Sequence, residues 1–78
     1  MENAAIHQIS SVKIDGEDLI VSTGQQSYSF KIVDVSKRLS QASEIEKNNF
    51  QISPSGYGIH WPQIDEDLSL NGLLKTLE

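Results

Sequence analysis

Residues Phe50 to Asp67 read FQISPSGYGIHWPQIDED, and they decide how the rest of the chain has to be arranged. The single Trp, both Pro and a run of three carboxylates all fall inside them. Phe50 and Ile52, then Tyr57, Ile59 and Trp61, recur at every second position, which places each set on one face of a strand. Pro54-Ser55-Gly56 separates the two runs, with Pro fixing φ and Gly tolerating positive φ, so the pair reads as a hairpin. Gly58 and His60 then share the opposite face. A glycine in mid-strand marks a bulge or a close approach of another element, and the plainest occupant is a helix packed over it. Pro62 cannot donate to a ladder, so the strand ends at Trp61.

Downstream, Gln63 to Asp67 reads as a connection into a last helix. Ser69 is its N-cap, Leu68 is placed to staple onto Leu73, and Leu70, Leu73, Leu74 and Leu77 form one apolar stripe. Asp65, Glu66 and Asp67 lie just ahead, where the positive end of a helix dipole favours negative charge. The expected division of labour ties Asp65 or Asp67 to backbone N–H groups of that helix and leaves Glu66 facing water, dispensable for folding.

Working upstream, Met1 to Ala5 carries no periodic signal and reads as a frayed end, with pairing starting near Ile6 to Ile9. Val12 and Ile14 alternate with polar residues, Asp15-Gly16-Glu17-Asp18 is a turn cluster and Leu19-Ile20-Val21 a β-branched run, so a first hairpin forms here. A second reversal at Thr23-Gly24-Gln25 leads to Tyr28, Phe30 and Ile32 as a third strand. The period then lengthens. Val35, Leu39 and Ala42 are spaced as on a helix, with Asp34 or Ser36 as N-cap. Ser43-Glu44-Ile45-Glu46 is a capping box, so a second helical turn restarts at Ser43, and Asn48-Asn49 ends it. The architecture is therefore α+β: a three-stranded antiparallel meander, a short helical region, a β-hairpin and a C-terminal helix, or βββ-α-ββ-α, in one domain spanning residues 1–78. The expected core is Val12, Ile14, Leu19, Val21, Phe30, Ile32, Leu39, Ile52, Ile59, Trp61, Leu70, Leu73 and Leu74.

Composition narrows the function. A chain of 78 residues buries only about 60% of its unfolded surface and leaves little room for a substrate cavity. It has no Cys, which removes disulfides and thiolate metal sites. No apolar stretch reaches membrane-spanning length and no signal peptide is evident, so a cytoplasmic protein without membrane contact is expected. The net charge of −5 opposes unaided binding to a phosphate backbone, which would need Lys37, Arg38 and Lys47 to converge. The same acidity suits a basic protein partner.

Two functional classes use the central stretch. In one, His60 with Asp65, Glu66 and Asp67 forms a small metal-binding or enzymatic site, since an imidazole and carboxylates can hold a divalent ion or share acid and base duties. Consecutive carboxylates diverge, however, and the chain offers no phosphate cradle and no Ser-His-Asp set. In the other, Gly58, His60, Trp61, Asp65, Glu66 and Asp67 form a surface that another protein recognises. Trp61 alternates with Ile59 as a core residue would, and it is also the kind of large aromatic that dominates interfaces. This second class, with no catalytic residue and no cofactor, is the expectation.

The order βββ-α-ββ-α and the word Gly56-Tyr57-Gly58-Ile59-His60-Trp61-Pro62, followed by Asp65-Glu66-Asp67 and Leu73-Leu74, resemble the bacterial family DUF2442, a domain of unknown function. The resemblance runs from about Ile9 to Leu77, and Arg38-Leu39 with Ala42-Ser43 approximates the family's Arg-Leu and Ala-Thr signature. Two features depart from it: Val35 stands near a usual aromatic, and Lys37 stands where Pro usually precedes the Arg. The resemblance implies a small α+β domain, found alone or fused to a helix-turn-helix DNA-binding domain. Some relatives lie beside toxin-like proteins, which implies an antitoxin-like or transcription-regulating role. With Glu78 directly after the last helix, the DNA-binding extension is expected to be absent, so that regulation acts through a protein partner, such as a basic toxin-like protein.

Overall fold

The computed structural model describes residues 8–24 and 26–77. Two three-stranded antiparallel sheets and four short helices make up an α+β fold. The first sheet is a meander of β1 (Ile9–Asp15), β2 (Asp18–Thr23) and β3 (Ser27–Lys31) in that order. Gly16, at φ +60°, turns the chain between β1 and β2, a conformation that favours glycine. Thr23 N–H donates to the Gln26 carbonyl at 2.8 Å to close the second reversal. Alternation puts Leu19, Val21 and Phe30 in the core, with Val12, Ile14 and Tyr28 packed half-buried against them. The expected frayed end at Met1 to Ala5 lies outside the described residues, among which pairing begins at Ile9. Ile9 is itself buried, and its N–H donates to the Gly56 carbonyl at 2.7 Å, so the start of β1 is fastened to the other sheet's hairpin.

The helical region is more broken than its spacing suggests. Ile32 does not extend β3. It opens α1 (Ile32–Val35), because its N–H donates to the Glu17 carbonyl at 2.9 Å and its carbonyl receives the Ser36 N–H at 2.8 Å, closing a turn that still buries the side chain. Ser36 is extended and caps α2 (Lys37–Ser40), its Oγ accepting the Leu39 N–H at 3.0 Å. Of the two candidate caps, Ser36 is the one used. α3 (Glu44–Lys47) starts at the capping box: Glu46 N–H donates to Ser43 Oγ at 3.1 Å, and Ser43 N–H to Glu46 Oε1 at 2.9 Å. An N-cap of this kind is worth about 1 kcal/mol, which matters for four-residue helices with little stability of their own.

The second sheet comprises β4 (Gln51–Ile52), β5 (Gly58–Trp61) and β6 (Glu66–Ser69), in that order. β4 and β5 form the expected hairpin, with Ile52 opposite Ile59, and Gly56 turns at φ +82°. A Cβ there would meet Gln8 Cβ at 2.8 Å, so both the conformation and the space demand glycine. Pro62 follows the last residue of β5, as expected. β6 is not expected from the sequence: Glu66 and Asp67, which spacing places in the approach to the helix, lie in a strand, paired Ile59 to Leu68, His60 to Asp67 and Trp61 to Glu66. α4 (Leu70–Lys75) then starts at Ser69, whose Oγ accepts the Gly72 N–H at 2.9 Å. Because β6 intervenes, no acidic residue lies in the first turn of α4 and the helix-dipole account of the triplet does not hold.

The buried core is Ile9, Leu19, Val21, Phe30, Ile32, Leu39, Ile59, Trp61, Leu70 and Leu73, with Trp61 fully enclosed. Ile52 and Leu74, like Val12 and Ile14, are half-buried rather than buried. Tyr57 lies ahead of β5 and is exposed, and Leu77 lies beyond the end of α4 and is exposed too, so neither joins the apolar set assigned to it from spacing. No helix among the described residues is long and apolar enough to cross a membrane.

Candidate functional site

Pairing of β5 with β6 sorts the signature residues onto two faces. Ile59, Trp61, Glu66 and Leu68 point inward; Gly58, His60, Asp67 and Ser69 point outward, joined by Gln51 opposite His60 on β4. The inward set is tied to the helices. Trp61 packs against Phe50 with ring centroids 6.1 Å apart, and its Nε1–H donates to the Lys47 carbonyl at 2.9 Å at the end of α3. It satisfies its polar atom from within the core, as a buried indole must. Trp61 is therefore packing behind the candidate face, not a member of it.

Glu66 reverses its expected role. Its Oε2 accepts a short hydrogen bond from the hydroxyl of buried Ser36, and its Oε1 accepts the Asp67 N–H at 3.0 Å. Ser36 Oγ at the same time caps α2, so the carboxylate, the hydroxyl and the helix start form one chain of bonds from β6 to α2. Glu66 turns inward because it pairs with Trp61 across the ladder, which puts it on the core side. It is the member of the triplet built into the fold, and it does not face water.

Asp65 and Asp67 are exposed, and neither carboxylate is held by a backbone N–H of α4. Asp65 adopts φ 54°, a left-handed conformation that Asp tolerates better than most residues, and its carbonyl accepts a bond from Arg38 Nη1 at 2.8 Å. That contact brings α2 against the β5–β6 connection and occupies Arg38, one of the cations that nucleic-acid binding would need. Asp67 turns outward to His60, whose Nδ1 lies 2.7 Å from Asp67 Oδ1. The side chains are 40% and 75% exposed, respectively. Of the four residues proposed for a metal or acid-base site, the structure brings together His60 and Asp67 and sends Asp65 and Glu66 elsewhere. Among the described residues no group of three or more His, Asp or Glu is placed to hold a metal ion.

Beside this pair the outer face dips. Gly58 has no side chain, and the hollow over it forms a shallow, mostly apolar groove of about 180 Å³ between His60, Asp67, Ser53 and Ser69. Among the described residues no helix packs over Gly58. A Cβ there would meet the Leu68 carbonyl at 3.6 Å and Ser53 Oγ at 3.7 Å, ordinary contacts that an alanine could make. Ser53 accepts the Gly58 N–H at 3.1 Å and donates its own N–H to the Gly58 carbonyl at 2.9 Å, which holds the hollow's floor in place. The sequence reading omitted Gln51, Ser53 and Ser69 from this face. Gln51 was recoverable from its parity with Phe50 and Ile52; Ser69 was not, because its strand was not recognised.

The sequence profile of the family described as a protein of unknown function, DUF2442, matches residues 1–77. The chain belongs to the DUF2442 family. A solved structure from Rhodospirillum rubrum, also a protein of unknown function, is similar at a TM-score of 0.79 and 27% identity, covering 91% of this chain and 88% of that one. No curated protein matches. The DUF2442 signature thus divides physically: Ile59, Trp61 and Glu66 build the fold, while Gly58, His60 and Asp67 form the exposed face.

Proposed function

We propose that this DUF2442 chain is a non-catalytic, cytoplasmic interaction domain that presents the outer face of β4, β5 and β6 to a basic protein. The observation that carries this reading is the outward pair of His60 and Asp67 beside the hollow at Gly58. An exposed side-chain pair of this kind contributes at most about 1 kcal/mol to a fold, so folding alone gives little reason for these residue types there. A hollow flanked by polar groups has the layout of a small interface pocket: an apolar centre that takes a side chain and a polar rim that orients it. The net charge of −5 favours a basic partner and speeds its approach. A regulatory role follows by way of that partner, and an antitoxin-like one if the partner is a toxin-like protein.

The test is capture from extracts of the native host by the immobilised protein, with Gly58→Ala as the comparison. Alanine fills the hollow without straining the backbone, so the variant folds as the parent does and loses at least about tenfold in affinity for a basic protein, the equivalent of 1.4 kcal/mol. Added salt slows capture more than it hastens release. Capture indifferent to Gly58→Ala, substrate turnover abolished by His60→Ala, or unaided binding to duplex DNA at physiological salt would each overturn the proposal.

A further inference from the structure

The outer face of the second sheet offers more than exposure, because its polar atoms are unevenly used. Asp67 Oδ1 is engaged by His60, whereas Asp67 Oδ2 and His60 Nε2 have no partner among the described residues. The free carboxylate oxygen therefore stands at the rim of an apolar groove whose floor is Gly58 and the backbone around Ile59 and Leu68. The one acidic side chain on this surface is Asp67, and its second oxygen is free to meet a cation.

We infer that the groove receives an arginine side chain of the basic partner, its stem lying over Gly58 and its guanidinium bonding to Asp67 beside the His60 ring. The inference rests on the interaction reading above and names the group that the face would recognise. Charge and shape both favour arginine. A guanidinium presents several N–H donors in a planar fork, which suits a carboxylate, while an ammonium is a compact point charge that stays strongly hydrated. The guanidinium plane can also lie against the imidazole, and the three methylenes suit an apolar floor that a fully polar side chain would leave uncovered.

The probe is a short capped peptide, acetyl-Ser-Arg-Ser-amide, titrated into the full-length ¹⁵N-labelled protein while its amide resonances are followed. The expected result is saturable shifts confined to Gly58, His60, Asp67, Ser69 and their neighbours. Replacing arginine by citrulline, which has the same shape without the charge, weakens binding by about tenfold or more, the loss of a charge-assisted pair. Asp67→Asn leaves an acceptor for His60 but removes the charge, and it weakens the arginine peptide to the level of the citrulline one. Equal binding of citrulline, of lysine or of glutamate peptides, indifference to Asp67→Asn, or no localised shifts at all would each overturn the assignment. If the arginine peptide fails while host-protein capture still depends on Gly58, the face is right and the guanidinium assignment is wrong; if both fail, the interaction reading falls with it.

Discussion

The two faces of the second sheet come from the same alternating residues and are wired differently. On the inner face polar side chains reach distant parts of the chain: Trp61 Nε1 to Lys47 on α3, and Glu66 Oε2 to Ser36 ahead of α2. On the outer face the bonds of His60 and Gly58 stay within the sheet and its own loop, His60 to Asp67 and Gly58 to Ser53, and Ser69 reaches further, as the cap of α4. A change on the inner face therefore propagates into the helices, which are too short to persist without tertiary anchors. A change at Gly58 or His60 has nowhere to propagate. The same strand can thus carry the residues on which folding depends and the residues left free to serve a partner.

The most severe break in that contrast is Trp61→Ala. Loss of the largest fully buried side chain removes its packing, opens a cavity and strips the Lys47 carbonyl of its donor, at a cost of about 3–5 kcal/mol. A domain this small has little more stability than that, so chemical denaturation should find the variant largely unfolded. A cooperative unfolding transition shifted by less than about 1 kcal/mol would mean that the inner face is not the anchor described here. Next in size is Glu66→Ala, which leaves the buried Ser36 hydroxyl without its acceptor and costs about 1–3 kcal/mol. Thermal melts of Asp65→Ala, Glu66→Ala and Asp67→Ala should rank Glu66 as the most damaging of the three. If Glu66→Ala melts with the other two, the bond chain from β6 to α2 has no energetic weight.

That ranking inverts what the sequence suggested, and the reason shows where sequence reading stops. Ile59 and Trp61 were legible because two large apolar residues at a spacing of two, closed off by Pro62, define a face without reference to anything else. Ser43-Glu44-Ile45-Glu46 was legible because a capping box is complete within four residues. Glu66-Asp67-Leu68-Ser69 was not legible as a strand, since it contains one apolar residue and its acidic pair suits the approach to a helix equally well. Only its pairing with β5 makes it a strand, and only that pairing directs Glu66 inward and Asp67 outward. Ile32 was misplaced because its alternation with Tyr28 and Phe30 fits a strand, whereas its carbonyl accepts the Ser36 N–H and closes a helical turn. For the candidate face, Gly58 and His60 followed from strand parity alone, whereas the choice of Asp67 over Asp65 and Glu66 as the partner of His60 required the register.

The smallest expected effect is the most informative for function. His60→Ala deletes an exposed ring whose one hydrogen bond is to an exposed carboxylate, so the folding free energy should change by less than about 1 kcal/mol. The Ile59 and Trp61 packing behind it is untouched, and backbone pairing with β6 does not depend on the side chain. Partner capture should nevertheless fall, because Asp67 loses the group that orients it and the groove loses one wall. Measuring both quantities on one preparation, by denaturant titration and by binding kinetics, separates the faces directly. Weak capture with normal stability assigns His60 to recognition. A loss of stability as large as that of Glu66→Ala would mean that the outer face is coupled to the core after all, and the division between folding residues and recognition residues would have to be abandoned.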